Sequence, residues 1–246
     1  MDCASVKISV VIPAFNEEKL IGATLRSIQA AGAAFGGPGW EMEIVVCDNN
    51  STDATAALAR AAGARLVFEP VNQISRARNT GAAAADGEWL IFVDADSRPA
   101  RELFAEVAGA IQSGRCLAGG CTMRMDERHF LGDCGTGLWN LISRIQKWTA
   151  GSFIFCQTAA FRKIGGFSAQ LFASEEIDLS KRLKKLARQE GKKVVILHRH
   201  PLLTSARKLT LYSRREYLRF LTKAIFHPRK TTQSREACQP WYDGRR

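Results

Sequence analysis

Short apolar runs alternate with amphipathic stretches through the first 113 residues. Apolar residues recur at helical spacing in between, as with Ile21, Leu25 and Ile28, and residues 54–62 and 76–85 predict two further helices. Such alternation indicates a mostly parallel, Rossmann-like α/β sheet with helices on its faces. The buried strands are predicted at Ile8–Pro13, Glu43–Cys47, Arg65–Phe68 and Trp89–Val93.

Two carboxylates, Asp94 and Asp96, directly follow the fourth apolar run. They are costly to desolvate unless a cation lies between them, and Mg²⁺ or Mn²⁺ takes one or two carboxylates together with substrate phosphates. The alternative is a turn in which Asp96 caps the helix that begins near Pro99. Ligands of such sheets bind at the carboxyl ends of the strands, where the loop 13–17 and Asp48 are also expected, so the metal site is favoured.

Composition is that of an ordinary globular protein, with 46% hydrophobic and 24% charged residues. No apolar stretch reaches membrane length and no signal peptide precedes the first strand, so we expect a cytoplasmic protein. The seven cysteines have no paired spacing, which favours buried thiols over disulfides or a zinc site.

Positive charge is concentrated at the C-terminus, where residues 181–246 hold 19 Lys and Arg against 4 Asp and Glu. A polyanionic neighbour is implied, and the segment Thr210–Phe226 has the pattern of a basic amphipathic helix. This helix could lie on the inner face of an anionic membrane or pack over residues 114–205, the part of the chain that precedes it. No nucleic-acid partner is expected, because no reading helix or aromatic platform is evident.

Several motifs follow one another along the chain: VVIPAFNEE, EIVVCDNNSTDAT, the segment RARNTG, VDAD, GSFIFCQTAAFRKIGGF and ASEEIDLSKRL. Together they resemble family 2 glycosyltransferases of the GT-A fold, in that family's order and spacing. There is neither a GxGxxG after the first strand nor a Walker lysine, which argues against dinucleotide oxidoreductases and P-loop NTPases. The resemblance implies an inverting, metal-dependent enzyme that moves a sugar from a UDP- or GDP-linked donor to a hydroxyl acceptor.

Donor contacts follow from the resemblance. Asp48 would bind base or ribose, although it could instead cap the next helix. Asp94 would touch ribose or metal, with Asp96 as the direct metal ligand, and Arg78 could be only a solvated neighbour. The full set implied for the donor is Pro13, Ala14, Glu17, Asp48, Arg76, Asn79, Asp94, Ala95 and Asp96.

Acceptor chemistry requires a base that takes the proton of the attacking hydroxyl. By resemblance Glu176 is that base, with Glu175 or Asp178 as alternatives. Both glutamates begin a predicted helix, where the dipole also favours acids, and Ser174 could cap it. A single displacement would invert the anomeric configuration.

The turn Gly165-Gly166-Phe167 would place an aromatic ring beside the acceptor. His198, after a strand at 194–197, would complete the metal shell or be a loop residue without that duty. The apolar residues of 135–148 are expected to pack in the core, with acceptor stacking by Trp139 or Trp148 as the alternative.

Three segments are predicted: a nucleotide-sugar half (1–113), an acceptor-binding half of the same domain (114–205) and the basic helix and tail (206–246). Four alternatives stay open: a polyprenyl-phosphate sugar synthase, a sugar nucleotidyltransferase, a non-catalytic basic binding module and a catalytically inactive sugar-binding homologue.

Overall fold

The computed structural model describes residues 6–37, 39–127, 130–207 and Ser234. The predicted helix at 210–226 therefore lies outside the described residues, as do all but residues 206, 207 and 234 of the basic segment. Within these ranges the strands are β1 (Val6–Ala14), β2 (Trp40–Asp48), β3 (Arg65–Phe68), β4 (Trp89–Val93), β5 (Ser97–Arg98), β6 (Cys116–Met125), β7 (Phe153–Gln157) and β8 (Lys193–Thr204). The α-helices are α1 (Ile21–Gly32), α2 (Thr55–Ala61), α3 (Ile74–Ala84), α4 (Arg101–Gln112), α5 (Phe130–Gln146), α6 (Thr158–Lys163) and α7 (Glu175–Gln189).

The strands form one mixed, mostly parallel sheet in the order β3-β2-β1-β4-β7-β6-β8-β5. The strands β3, β2, β1 and β4 run parallel, as predicted. β7 lies between β4 and β6 and is antiparallel to both. On its other side β6 pairs in parallel with β8. One sheet therefore runs through both predicted halves of the chain.

Helices cover both faces of this sheet. Ile91 and Val93 of β4 point into one apolar cluster with α1 and α4, whereas Leu90 and Phe92 point into the other with α6 and α7. All five residues of β4 are buried, as expected for a strand covered on both faces. The fold class predicted from the alternating pattern is confirmed.

The apolar residues of 135–148 were predicted to pack in the core, and for the exposed face of α5 this prediction was wrong. Its residues Leu138, Leu141 and Ile145 are 54–67% exposed, so this helix face is not part of the core. Helical spacing shows which side chains share a face but does not show whether that face is covered. Among the residues that the structure describes, no helix has the length and apolarity needed to span a bilayer.

Cysteine placement agrees with buried thiols at four described positions, Cys47, Cys116, Cys121 and Cys156. Cys134 is exposed, and all five of these cysteines are unpaired in the described part of the chain. Burial raises the pKa of the Cys47 thiol to about 12, which keeps it protonated.

Candidate active site

The loops after β1 and β2 are joined by hydrogen bonds at the carboxyl edge of the sheet. The backbone N–H of Asn16 donates to Ser51 Oγ (3.0 Å), and the backbone N–H of Thr52 donates to Asn16 Oδ1 (2.8 Å). Asp48 ends β2 opposite Ala14 of β1 and accepts from Ser51 N–H (3.0 Å), so one of its oxygens holds the loop in place. The predicted convergence of these loops at one edge is confirmed.

The segment Asp94–Asp96 follows β4, the neighbour of β1 in the sheet. Thr24 of α1 donates to the Ala95 carbonyl (2.7 Å), which fixes the turn that separates the carboxylates. Asp96 does not cap a helix: Ser97–Arg98 form β5, and α4 begins only at Arg101 after Ala100. The capping interpretation of Asp96 was therefore wrong.

Arg78 lies at the centre of the site and is 1% exposed. Its guanidinium donates to Asp94 Oδ1 (2.9 Å), Glu175 Oε1 (2.8 Å) and the Gly151 carbonyl (2.8 Å). A Cβ on Gly151 would lie 3.1 Å from Arg78 Nη2, so the absence of a side chain there permits this approach. Arg78 is therefore not merely a solvated neighbour, the alternative that the sequence left open, and the exposed arginine of the two is Arg76.

A cavity of about 440 Å³ opens above this ion-pair network. Acidic side chains from two parts of the chain face it: the pair after β4 and the pair that begins α7. Its wall also includes Trp139, which the sequence analysis named as the alternative for acceptor stacking, and Met123, Met125 and Phe172, which the sequence did not indicate. The residues that line it include Arg78, Asp94, Asp96, Met123, Met125, Trp139, Phe172, Glu175, Glu176, Thr204 and Ser205.

The two glutamates have different electrostatic environments. Arg78 compensates the buried Glu175 directly. Burial, and then the neighbouring Glu175 carboxylate, raise the pKa of Glu176 above its ordinary value. Glu176 is therefore the better proton acceptor of the pair, whereas Glu175 is anchored by its ion pair. Ser174 precedes them in a left-handed conformation (φ 62°) without a side-chain cap, so its predicted capping role was wrong.

Arg207 connects the segment after β8 to the loop after β1. Its Nη2 donates to both carboxylate oxygens of Glu17 (2.9 and 3.0 Å) and lies 4.0 Å from Asp96 Oδ2. Ser205 N–H also donates to the Asp96 carbonyl (3.2 Å). Pro13, Ala14, Glu17 and Asp48 do not line the 440 Å³ cavity but lie at the ends of β1 and β2.

Asn79 has a different position from the one expected of a donor ligand. Its amide donates to the Phe167 carbonyl (2.9 Å) and accepts from Phe167 N–H (2.9 Å), so it holds the turn Gly165-Gly166-Phe167. The Phe167 ring is 2% exposed and packs edge-on against Phe92. The predicted aromatic contact of Phe167 with an acceptor was therefore wrong.

His198 does not join the carboxylates. It lies within β8 rather than after a strand, its side chain is exposed, and it does not line the cavity. In residues 6–37, 39–127 and 130–207, no three His, Cys, Asp or Glu side chains are grouped to hold a metal ion. The metal-ligand prediction for His198 was wrong, while a site of two carboxylates completed by substrate oxygens requires no third protein ligand.

Comparison with known proteins gives a family and a fold. A family model described as Glycosyl transferase family 2 matches residues 9–165. An uncharacterized glycosyltransferase of Mycobacterium tuberculosis is 37% identical over 89 residues, which are 36% of this chain and 36% of that protein. The chain thus aligns with little more than a third of that relative.

Solved structures of two enzymes share the architecture. Staphylococcus aureus TarS 1–349 in complex with UDP-GlcNAc has a TM-score of 0.62 at 21% identity, covering 95% of this chain and 69% of that one. The mannosyltransferase PcManGT of Pyrobaculum calidifontis, in complex with GDP-Man and Mn²⁺, has a TM-score of 0.67 at 18% identity, covering 98% and 69%. Such similarity supports the GT-A fold expected from the sequence.

Proposed function

The chain belongs to glycosyl transferase family 2, and we propose that it is a metal-dependent, inverting glycosyltransferase with a nucleotide-diphosphate-sugar donor and a hydroxyl acceptor. One observation carries this proposal. Arg78 binds Asp94 and Glu175 at 2.9 and 2.8 Å, which brings the acids after β4 and the acids of α7 to one cavity. A sugar transfer needs both groups in one place: the first for the leaving diphosphate, the second for the acceptor proton.

The donor would span the edge of the sheet from Asp48 to Asp96. Pro13, Ala14, Glu17 and Asp48 would hold base and ribose, and Arg76, which is exposed, would reach the phosphates. The contacts of Asn79 with Phe167 support a positioning role for that residue. UDP-GlcNAc and GDP-Man in the structural relatives support both uridine and guanosine donors.

The donor set after β4 fits a hard divalent cation. Asp94 and Asp96 offer carboxylate oxygens to the cavity, whereas the hydroxyls of the neighbouring Thr204 and Ser205 are engaged by Ser97 Oγ and by Arg207 N–H. Asp94 and Asp96 would hold Mn²⁺ or Mg²⁺, which when bound neutralises charge on the leaving diphosphate. Mn²⁺ accompanies the donor in the mannosyltransferase, which supports this assignment.

Glu176 is the proposed general base. Its raised pKa makes its carboxylate the stronger base once the proton is lost, and its position in the cavity wall gives it access to an acceptor. Glu175, anchored to Arg78 by an ion pair of 2.8 Å, would orient the pair. With one base and no nucleophile assigned, direct displacement would invert the anomeric centre.

A thermal-shift panel tests donor and metal together. UDP-, GDP- and dTDP-sugars are added with and without Mn²⁺, and one nucleotide class should stabilise the chain in a metal-dependent manner. At 100 times Kd the gain is about 2.7 kcal/mol. Asp96→Ala should abolish this gain, with Asp86→Ala, an exposed acid outside the site, as the matched control. Metal-dependent donor stabilisation that survives in Asp96→Ala would refute the metal assignment.

The acceptor class is tested by Glu176→Gln. A hydroxyl acceptor must lose a proton, so turnover should fall by about 10²–10⁴ while donor binding persists. A phosphate acceptor is already ionised and would leave turnover unchanged, which would indicate a polyprenyl-phosphate sugar synthase instead. Proton NMR of the product should show the inverted anomer.

A further inference from the structure

Helix α5 carries an exposed apolar stripe, here defined as Leu138, Leu141 and Ile145. These side chains are 61%, 54% and 67% exposed and recur at i, i+3 and i+7, so they share one helix face. The other large apolar side chains that are exposed in the described part of the chain, Leu58, Phe68 and Val71, lie outside α5. A contiguous stripe marks an interaction surface, whereas single exposed apolar residues do not.

Next to the last turn of α5 lies a basic cleft of about 370 Å³, here defined as Lys147, Lys184, Arg188, Lys192 and Lys193. The remaining lining residues are alanine and valine, and of the five cations Lys192 is already paired with Glu190 (Nζ to Oε2, 3.8 Å). Burial lowers the pKa of Lys184, and the positive charges of Arg188 and Lys147 lower it further. An anion in the cleft would relieve this repulsion.

The apolar stripe and the basic cleft adjoin each other. Lys184 Nζ donates to the Gln146 carbonyl (2.5 Å), one residue after Ile145, which fixes the end of α5 on the cationic part of α7. Thr149 N–H donates to Ser180 Oγ (2.9 Å), and Lys181 Nζ lies 5.4 Å from the centre of the Trp148 ring. The C-terminal end of α5 is therefore held against α7, which places the stripe and the cleft on neighbouring elements.

We propose that the apolar stripe and the basic cleft together form a docking surface for an anionic lipid bilayer. Aliphatic side chains beside lysines and arginines suit the boundary between acyl chains and anionic headgroups. A charged protein partner would match the cleft but leave the aliphatic stripe exposed, so the bilayer satisfies both features. Trp139, adjacent to Leu138, lines the catalytic cavity, so docking would bring that cavity to the membrane.

Vesicle co-sedimentation of the full chain tests this surface. The chain should sediment with vesicles of phosphatidylcholine and phosphatidylglycerol and less with phosphatidylcholine alone. Leu138→Ser with Ile145→Ser should weaken binding by about tenfold. Lys147→Gln with Arg188→Gln should weaken it by about 25-fold, since each cation near an anionic leaflet contributes about fivefold. The matched controls Leu58→Ser and Arg60→Gln, exposed positions of α2, should bind like the unchanged chain.

Three outcomes would overturn the proposal. In the first, the chain fails to bind anionic vesicles. In the second, the stripe and cleft variants bind as well as the controls, while Leu218→Ser with Leu221→Ser, two apolar positions of the predicted basic helix 210–226, abolishes binding. Alternatively, sedimentation velocity shows a dimer that only the stripe variants dissociate, which would assign the stripe to a second copy. The donor-induced thermal shift should be retained in every variant, so failure here is distinct from failure of the proposed reaction.

Discussion

Replacement of Arg78 by alanine should severely destabilise the protein. The substitution removes the counter-charge of Glu175, whose side chain is 6% exposed, together with three hydrogen bonds of 2.8–2.9 Å. Removing one partner of a buried ion pair costs about 3–5 kcal/mol, because the remaining charge is buried without compensation. For a chain of 246 residues, each kcal/mol lowers Tm by about 2–4 °C. We therefore expect a Tm decrease of about 6–20 °C.

The assay is unfolding by urea and by heat, without metal or donor, and tryptophan fluorescence monitors the transition. Arg76→Ala is the matched control: it removes the same charge from the same helix at an exposed position and should change stability by less than about 0.5 kcal/mol. In the double variant Arg78→Ala with Glu175→Gln, the buried charge is no longer present, so part of the stability should return. The loss in the double variant should be smaller than the sum of the two single losses by at least about 1 kcal/mol. Equal stability of the two arginine variants would refute the assignment of Arg78 as the charge centre of the site.

Three further predictions concern proton binding, loop support and packing. Burial and Glu175 raise the pKa of Glu176 to about 8, so the native state favours its protonated form. The resulting stability is complete below the ordinary carboxyl pKa and is lost as pH rises to about 8; Tm profiles should show this loss in the unchanged chain and not in Glu176→Gln. Asn79→Ala, which leaves the Phe167 main chain without its two partners, should cost about 1–3 kcal/mol in urea unfolding; an unchanged midpoint would contradict that role. Gly119→Ala places a Cβ 2.6 Å from the Val195 carbonyl oxygen and should lower the free energy of unfolding by at least about 1–3 kcal/mol. Gly109→Ala, in an open part of α4, should raise it by about 1 kcal/mol. The reverse order of stability in calorimetry would contradict the packing.

Local sequence was sufficient for the framework of the donor edge. The apolar run Trp89–Val93 predicts a strand covered on both faces, and the alternating pattern predicts its parallel neighbours. Asp48, Asp94 and Asp96 then reach one edge because parallel strands place their carboxyl ends together. These inferences use only neighbouring residues and topological rules.

Long-range pairing was not predictable in the same way. Arg78 binds Asp94 at a separation of 16 positions and Glu175 at 97, and no local pattern distinguishes it from Arg76 two residues earlier. Arg207 and Glu17 are 190 positions apart. His198 was misplaced because β8 continues past Leu197 through an irregular pairing with β6. These three placements depend on contacts that only the folded chain forms.

The place of β4 in the sheet has a consequence for synthesis on the ribosome. Its partner on one side, β1, precedes it, but β7 on the other side ends only at Gln157. Until that residue leaves the exit tunnel, the most apolar strand of the nascent chain has an open edge, which is a template for aggregation. A ribosome-bound chain that ends near residue 113 should therefore be a strong client of chaperones, and one that exposes residue 157 a weaker client.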